Sequence, residues 1–500
     1  MTSPQSHWLI AFNRFGCGAR PGDGSRSGDP KQALVEELAA PHAAWLEDPA
    51  LRSSPQILQE TFAFELQKKK DREAADATRK ASLGMPAPEV AALVYPAPSK
   101  APGDAAPTMA SLEPGAMKAP GAPASAAVAP QPEQQAFRAD AAARLQRACA
   151  APIGFAERLV AFWSNHFCVS AAKSNVCRSV AGAFEREAIR PHVLGRFADM
   201  LRAVEQHPAM LNFLDNQQSI GPNSKAGHNR NAGLNENLAR EILELHTMGV
   251  GSGYTQSDVT QLAYILTGWT FAGREGKLGE PGTFVFNADA HEPTAATLLG
   301  RVYVEDGVAQ GEAALADLAR ESATANHIAT KFARHFVADA PDPGLVKRLA
   351  KVFRDTDGDL AALALALIDD PVAWSAPPTK IRNPWELTVA SYRAFQRSPA
   401  DPGPALNALN LLGMPLWQPG GPNGFSDEAS AWTSPEGMKT RLELANQFAS
   451  QVRDAPRPLT LVEDILGPGA SPATREAVMH AESVSQAYAL LILSPEFQRR

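Results

Sequence analysis

The 500-residue chain reads as mainly α: a multi-helix globular domain with a small β-hairpin element around 283–304. Three observations predict this. Apolar residues recur at helical spacing through most of the chain, as in "KQALVEELAAPHAAWL" and "GFAERLVAFWSNHFCVS". Strand-like runs are confined to 272–304, where "GTFVFNADA" and "GRVYVED" are expected to pair as a short hairpin. Hydrophobic residues make up 44% and charged residues 20%, enough apolar surface for a large core.

Residues 1–80 read as the N-terminal helical part of the main domain. From 81 to 133 the composition turns to Ala and Pro; such a stretch buries little apolar surface and its prolines break helices. It is expected to be a disordered insertion or linker. Residues 134–500 read as the main helical domain. Helical patterns run through "QAFRADAAARLQRACA", "PHVLGRFADMLRAVEQHP" and "HPAMLNFLDNQQS", followed by the polar loop "IGPNSKAGHNRNAG". The segment 235–248 continues as a helix, with Gly249 as its stop signal. "YTQSDVTQLAYILTGW" opens with Thr255 as N-cap and Asp258 three residues on, a capping box with Asp in place of Glu. Further helices are expected at 310–338, 343–354, 359–370, 384–397, 437–453 and about 472–493, with a long Pro/Gly/Trp loop at 413–436.

The formal net charge is -7 with acids and bases interspersed, so nothing favours nucleic acid, and an acidic surface disfavours anionic membranes. No apolar run approaches the ~18 residues of a transmembrane helix. The first residues show no basic stretch followed by an apolar core, so as written the chain is expected to be cytoplasmic. Cys17, Cys149, Cys168 and Cys177 are too few for a disulfide scaffold, and the Cys168–Cys177 spacing fits no zinc pair. Free buried thiols are expected.

The densest polar segment is "GLNENLAREILELHTMG", residues 233–249. At 100° per residue, Leu238, Ile242 and Leu245 share one side, while Asn237, Arg240, Glu241 and Glu244 share the opposite one. Glu236–Arg240 and Arg240–Glu244 are i,i+4 pairs, which suits a solvated ion-paired face. The stripe contains no Lys, however, and follows an Asn-rich loop. Asn237, Glu241 and Glu244 could hold a divalent cation, or a carboxylate could act as general base beside Arg240. In "FWSNHF", His166 shares a helix face with Phe155, Leu159 and Phe162; it is either a satisfied core histidine or a base or metal ligand. His246 could simply cap its helix end. "FNADAHEP" puts Asn287, Asp289, His291 and Glu292 after a strand, a common place for site residues. "DTDGDLAAL" departs from a calcium loop and is better explained by Asp359 as a helix N-cap. No G-x-S-x-G elbow, H-E-x-x-H helix or dinucleotide fingerprint stands in context.

Taken in order, "AFNRFGCGARPG", "LVAFWSNHF", "HPAMLNFLDNQQS", "LNENLAREILELHTMGVGSGYTQSDVTQLAYILTGW", "KIRNPWELTVASYRAF", "LLGMPLWQPGGPNGFSDEASAW" and "LILSPEFQRR" resemble the bacterial domain of unknown function 1800 family. The resemblance covers all but the Ala/Pro segment and is most specific in the N-E-N-x-A-R-E-x-x-E-L block. It implies a mostly helical fold. It brings no agreed catalytic residues. It also implies a periplasmic or exported location, against the absence of a signal segment, and a partner of the sulfatase-like domain of unknown function 1501 family.

The residues and the resemblance together outline a cleft where the 155–168 helix, the 215–235 loop and the 235–248 helix meet. His166, Glu241, Glu244 and Arg240 are its expected catalytic residues, with His166, Glu241 and Glu244 as possible ligands of a divalent metal. Asn235, Glu236, Asn237, Asp215, Trp163 and His291 are its expected substrate-binding residues. The reaction class this suits best is hydrolysis of a polar or polymeric substrate; the alternative is a non-catalytic accessory protein.

Overall fold

A computed structural model describes residues 4–83, 131–229 and 233–500. Most of the expected Ala/Pro insertion, at 84–130, therefore lies outside the described residues. The chain divides into a large unit, Met1–Ala63 with Pro132–Arg500, and a small one, Phe64–Gln131. The described helix of the small unit is the continuation of Ser54–Leu83 from Phe64, whose "QKKKDREAADATR" run is exposed.

The large unit is helical, and the sequence shows why its helices start where they do. Asp342, Asp370, Asn383, Ser434, Ser471 and Ser494 each accept a backbone N–H from the first turn, and each is followed directly by Pro. The side-chain oxygen satisfies an orphan donor, and the proline presets the first helical φ where no N–H is needed. Thr255 and Asp258 form the reciprocal capping box expected of them, as do Asn383 and Glu386. Asp359 caps Leu360–Asp369 through Ala362, so the "DTDGD" run is a helix start.

Two expected helices are each divided. The 310–338 segment breaks at Glu321 into Val308–Arg320 and Ser322–Phe336; the 472–493 segment becomes Pro472–Met479 and Val484–Leu493, the second capped by Ser483.

The β element is present, but its pairing differs from the expected one. Phe284–Phe286 pairs with Trp269–Phe271, and Ala296–Leu298 pairs with Arg301–Tyr303, both antiparallel. Two hairpins replace one because the preceding helix stops at Leu266, and Gly268 at φ 81 turns the chain into a strand where the pattern reads as helix.

At the centre, aromatic rings interlock in edge and tilted geometries. Phe162 meets Phe332 at 5.3 Å, Phe155 meets Phe336 at 5.5 Å, and Trp163 meets Phe197 at 5.8 Å. Threaded through this core is an arginine-rich ionic network. Glu386 receives Arg158 and, at 2.8 Å, Arg500. Glu157 and Glu185 receive Arg190, and Glu185 also receives Arg144. Burial alone would raise the Glu386 carboxyl, but Arg158 and Arg500 hold it far below the usual carboxylate range. The four cysteines are free and buried. No helix among the described residues is long and apolar enough to cross a membrane.

Removing one partner of a buried pair leaves the other charge uncompensated. Glu386→Gln should therefore lower unfolding stability by about 3–5 kcal/mol in urea titration. Lys439→Ala, which breaks an exposed i,i+4 pair with Glu443, should change it by less than ~0.5 kcal/mol.

Candidate functional site

The polar helix is anchored at its start. The Asn235 side-chain carbonyl accepts the Asn237 N–H at 2.9 Å, and its amide donates to the Asp215 carbonyl at 3.2 Å. Asp215 turns the chain at φ 59, a conformation that Asp tolerates better than most residues, and its carboxylate pairs with Lys173 at 2.6 Å. Asn235 and Asp215, both expected site residues, thus tie the 215 loop to the helix.

The helix then changes type. Asn237–Glu241 is α-helical, but Ile242–His246 is a π turn, closed by the Thr247 N–H donating to the Ile242 carbonyl at 2.9 Å. The wider turn moves the residues after Glu241 off a regular helical wheel. His246 is carried inward beside Ile242 and Leu243 and is fully buried.

The outer face is the ion-paired surface that regular geometry describes. Arg240 bridges Glu236 at 3.1 Å and Glu244 at 3.5 Å. It also donates to Gln256 at 2.9 Å, while Gln256 and Thr260 donate back to Glu236. These contacts stitch the polar helix to Gln256–Leu266. All are partly exposed, so each ion pair contributes only about 0.3–0.5 kcal/mol.

Beneath the helix lies a cluster of imidazoles. His166 Nε2 donates to the His246 carbonyl at 3.1 Å, and His327 Nε2 donates to the Leu245 carbonyl at 3.1 Å. His246 Nδ1 meets the Glu205 carboxylate at 2.8 Å. His166 Nδ1, His246 Nε2 and one Glu205 oxygen are buried without a hydrogen-bond partner. Burial, then the charges of Lys331, His327 and His246, holds the His166 pKa well below its ordinary value. Burial and Lys331 push His327 down to about 4. Lys331 is itself lowered by burial.

Glu241 stands between the two layers. It is half-buried, and burial raises its pKa; Glu244 adds to the rise, while His246 and Arg240 oppose it. The same carboxylate acts on the Cys168 thiol, which burial pushes up to about 12. Cys168 is consequently a buried thiol donating to the Pro422 carbonyl at 3.3 Å and no nucleophile.

The expected site residues thus fall in different places. Trp163 and His166 are in the core, edge-on to each other at 5.4 Å. Glu236, Arg240 and Glu244 face outward, and Asn237 is exposed. His291 belongs elsewhere: it is buried beside Phe286, bonded to the Thr267 carbonyl at 2.8 Å, with Nε2 3.7 Å from Glu305. Among the described residues no three His, Cys, Asp or Glu side chains gather as a cation site, so Glu241, Glu244 and His166 do not form a ligand set. Glu205, His327 and Lys331 were not foreseen. The spacing of His327 and Lys331 in "SATANHIATKFARHF" is i,i+4, the one signal that links them.

The profile of the family described as "Protein of unknown function (DUF1800)" matches residues 10–499. The chain belongs to the DUF1800 family. No curated protein and no solved structure matches it. The polar helix, the imidazole cluster and, but for Arg500, the Glu386 network of this DUF1800 chain lie inside the matched span.

In unfolded chains histidine titrates near pH 6.5, so below that pH the unfolded state binds protons that folded His166 and His327 refuse. Stability should be full above about pH 6.5 and fall as the pH drops toward 4. His327 alone contributes a loss on the order of 3 kcal/mol at pH 4. Thermal melts of His327→Asn from pH 7 to 4 should show a shallower acid decline than the parent. Arg240→Ala should cost no more than ~1 kcal/mol at neutral pH.

Proposed function

We propose that this DUF1800 protein is a hydrolase of polar or polymeric substrates in which Glu241 transfers the proton. The observation that carries the reading is the environment of Glu241: a half-buried carboxyl with a raised pKa, acted on by His246, whose buried Nε2 has no partner. Raising a carboxyl brings its two protonation states closer in energy near neutral pH, as general acid–base catalysis requires. Glu205 orients the His246 ring through Nδ1, and the ring in turn acts on Glu241. Asn235, Asn237 and Arg240 are the groups that orient substrate at the helix start.

Glu241→Gln keeps size and hydrogen bonding but cannot exchange a proton. Against a panel of chromogenic esters, phosphate monoesters, glycosides and peptides, the parent should hydrolyse at least one class. The variant should lose at least ~100-fold in kcat with its Tm within about 2 °C. No turnover by the parent on any class, or full activity in the variant, would falsify the reading.

A second reading is favoured by the outward Glu236–Arg240–Glu244 ladder, which leaves a charged, ordered helix face toward solvent. It makes the chain an accessory protein of a sulfatase-like partner of the domain of unknown function 1501 family. Its mark is co-purification with that partner that is lost when Glu236 and Glu244 are both changed to Lys.

A further inference from the structure

A groove outside the polar helix is formed by the Pro4–Ile10 helix, the 371–378 segment and the 495–500 segment. It encloses about 1000 Å³, at the upper end of the ~300–1,000 Å³ of small-ligand sites. Leu9, Ile10, Trp374, Pro377 and Leu466 give it apolar walls.

Its charges do not balance. Arg14, Lys31, Arg499 and Arg500 line it, against Asp29 and Glu496. Both acids are engaged elsewhere. Asp29 caps the helix at Lys31 N–H at 3.0 Å, and Glu496 accepts from the Ser471 N–H at 3.0 Å and the Thr474 hydroxyl at 2.9 Å. Arg14 is buried yet meets no carboxylate among the described residues. Its guanidinium donates to the carbonyls of Ala373 at 2.6 Å, Ala376 at 2.7 Å and Pro377 at 3.3 Å, and its Nε has no acceptor. Arg500 donates to Glu386 and to the His335 carbonyl, both at 2.8 Å, and its Nη1 has no acceptor. Glu386 already serves Arg158, so it cannot neutralise all the nearby cations. Arg499 is exposed and forms no ion pair among the described residues.

A buried guanidinium without a carboxylate partner, as at Arg14, calls for an anion. The exposed Arg499 guanidinium on the groove offers paired N–H donors to the two oxygens of a carboxylate, and the walls suit an aliphatic chain. We propose that this groove binds an amphipathic carboxylate, a medium-chain acyl anion, with its head at Arg14, Arg499 and Arg500 and its tail along Ile10, Trp374 and Leu466. The site is independent of the Glu241 reading.

Isothermal titration of the full chain with decanoate, kept below its micelle concentration, tests this. Decanoate should bind saturably and at least tenfold tighter than decyltrimethylammonium, which has the tail with the opposite charge, and than acetate, which has the head without the tail. Arg14 also holds three carbonyls, so the exposed Arg499 is the residue to change. Arg499→Glu should weaken decanoate at least fivefold without shifting the Tm, and Ile10→Trp should weaken it by narrowing the tail channel. The proposal is overturned if decanoate does not saturate, if the cationic amphiphile binds as well, if inorganic phosphate binds tighter than decanoate, or if Arg499→Glu binds like the parent.

Discussion

Glu386 is a single carboxylate that three distant parts of the chain share. It sits in the first turn of Pro384–Ala394, where it closes the capping box with Asn383. It also takes Arg158 from the Phe155–His166 helix and Arg500 from the 495–500 segment. The same Arg500 reaches the His335 carbonyl, and its backbone N–H donates to Lys380. Helix start, core helix and chain end are therefore fixed by one charge in a medium where an unpaired charge is costly. Arg382 and Arg441 stand nearby, bonded mainly to carbonyls and amides of the 495–500 segment and of Asn13. Arg393 goes further and donates to the carbonyls of Gly18, Ala148, Cys149 and Ala151. Its partners are the Gly18 loop carbonyl and carbonyls in and just after the last turn of the Pro132–Ala150 helix, which have no acceptor role left inside that helix. Arginine serves here as a backbone-satisfying group as much as an ion, because its planar fork offers five donors in fixed directions.

The polar helix works by a different division of labour. Its outer side is an exchangeable ladder of exposed ion pairs, each weak and screened by salt. On its inner side His246 and the underlying His166 spend one nitrogen each on a carboxylate and a carbonyl, and His246 Nε2 and His166 Nδ1 stay buried without partners. Unpaired buried polar atoms are destabilising, and proteins retain them where chemistry or binding uses them. Glu241 sits at the boundary and responds to both sides.

Much of the fold was legible because its signals are local. A cap residue followed by proline announces a helix start within three residues, and Asp342, Ser434 and Ser471 all do so. The class and the β segment followed from periodicity. What stayed hidden depends on partners far away in sequence. Phe284–Phe286 looked like one arm of a hairpin with 301–304, yet its partner is the end of what reads as a helix. Arg14, Arg382 and Arg393 gave no sign of burial, because a carbonyl partner leaves no mark in sequence. For the site, Glu236–Arg240–Glu244 was correctly visible as an i,i+4 ladder. The role of His246 was not, since a regular wheel cannot represent a π turn, and Glu205, its partner 41 positions earlier, carries no local cue.

The π turn has one more implication. A π turn holds one residue more than the α turn it replaces. His246 points inward because of that extra residue, not because of which amino acid fills any of the positions 242–245. Rewinding the same residues as a regular α-helix would swing the imidazole about 100° around the axis, away from Glu205, whereas losing any one of the four would let regular winding return it to nearly the same side. The inward histidine is thus encoded as a match between length and winding. In a comparison of relatives, a one-position gap at 242–245 would mark chains in which a regular α-helix keeps the histidine on the inner side without the wider turn.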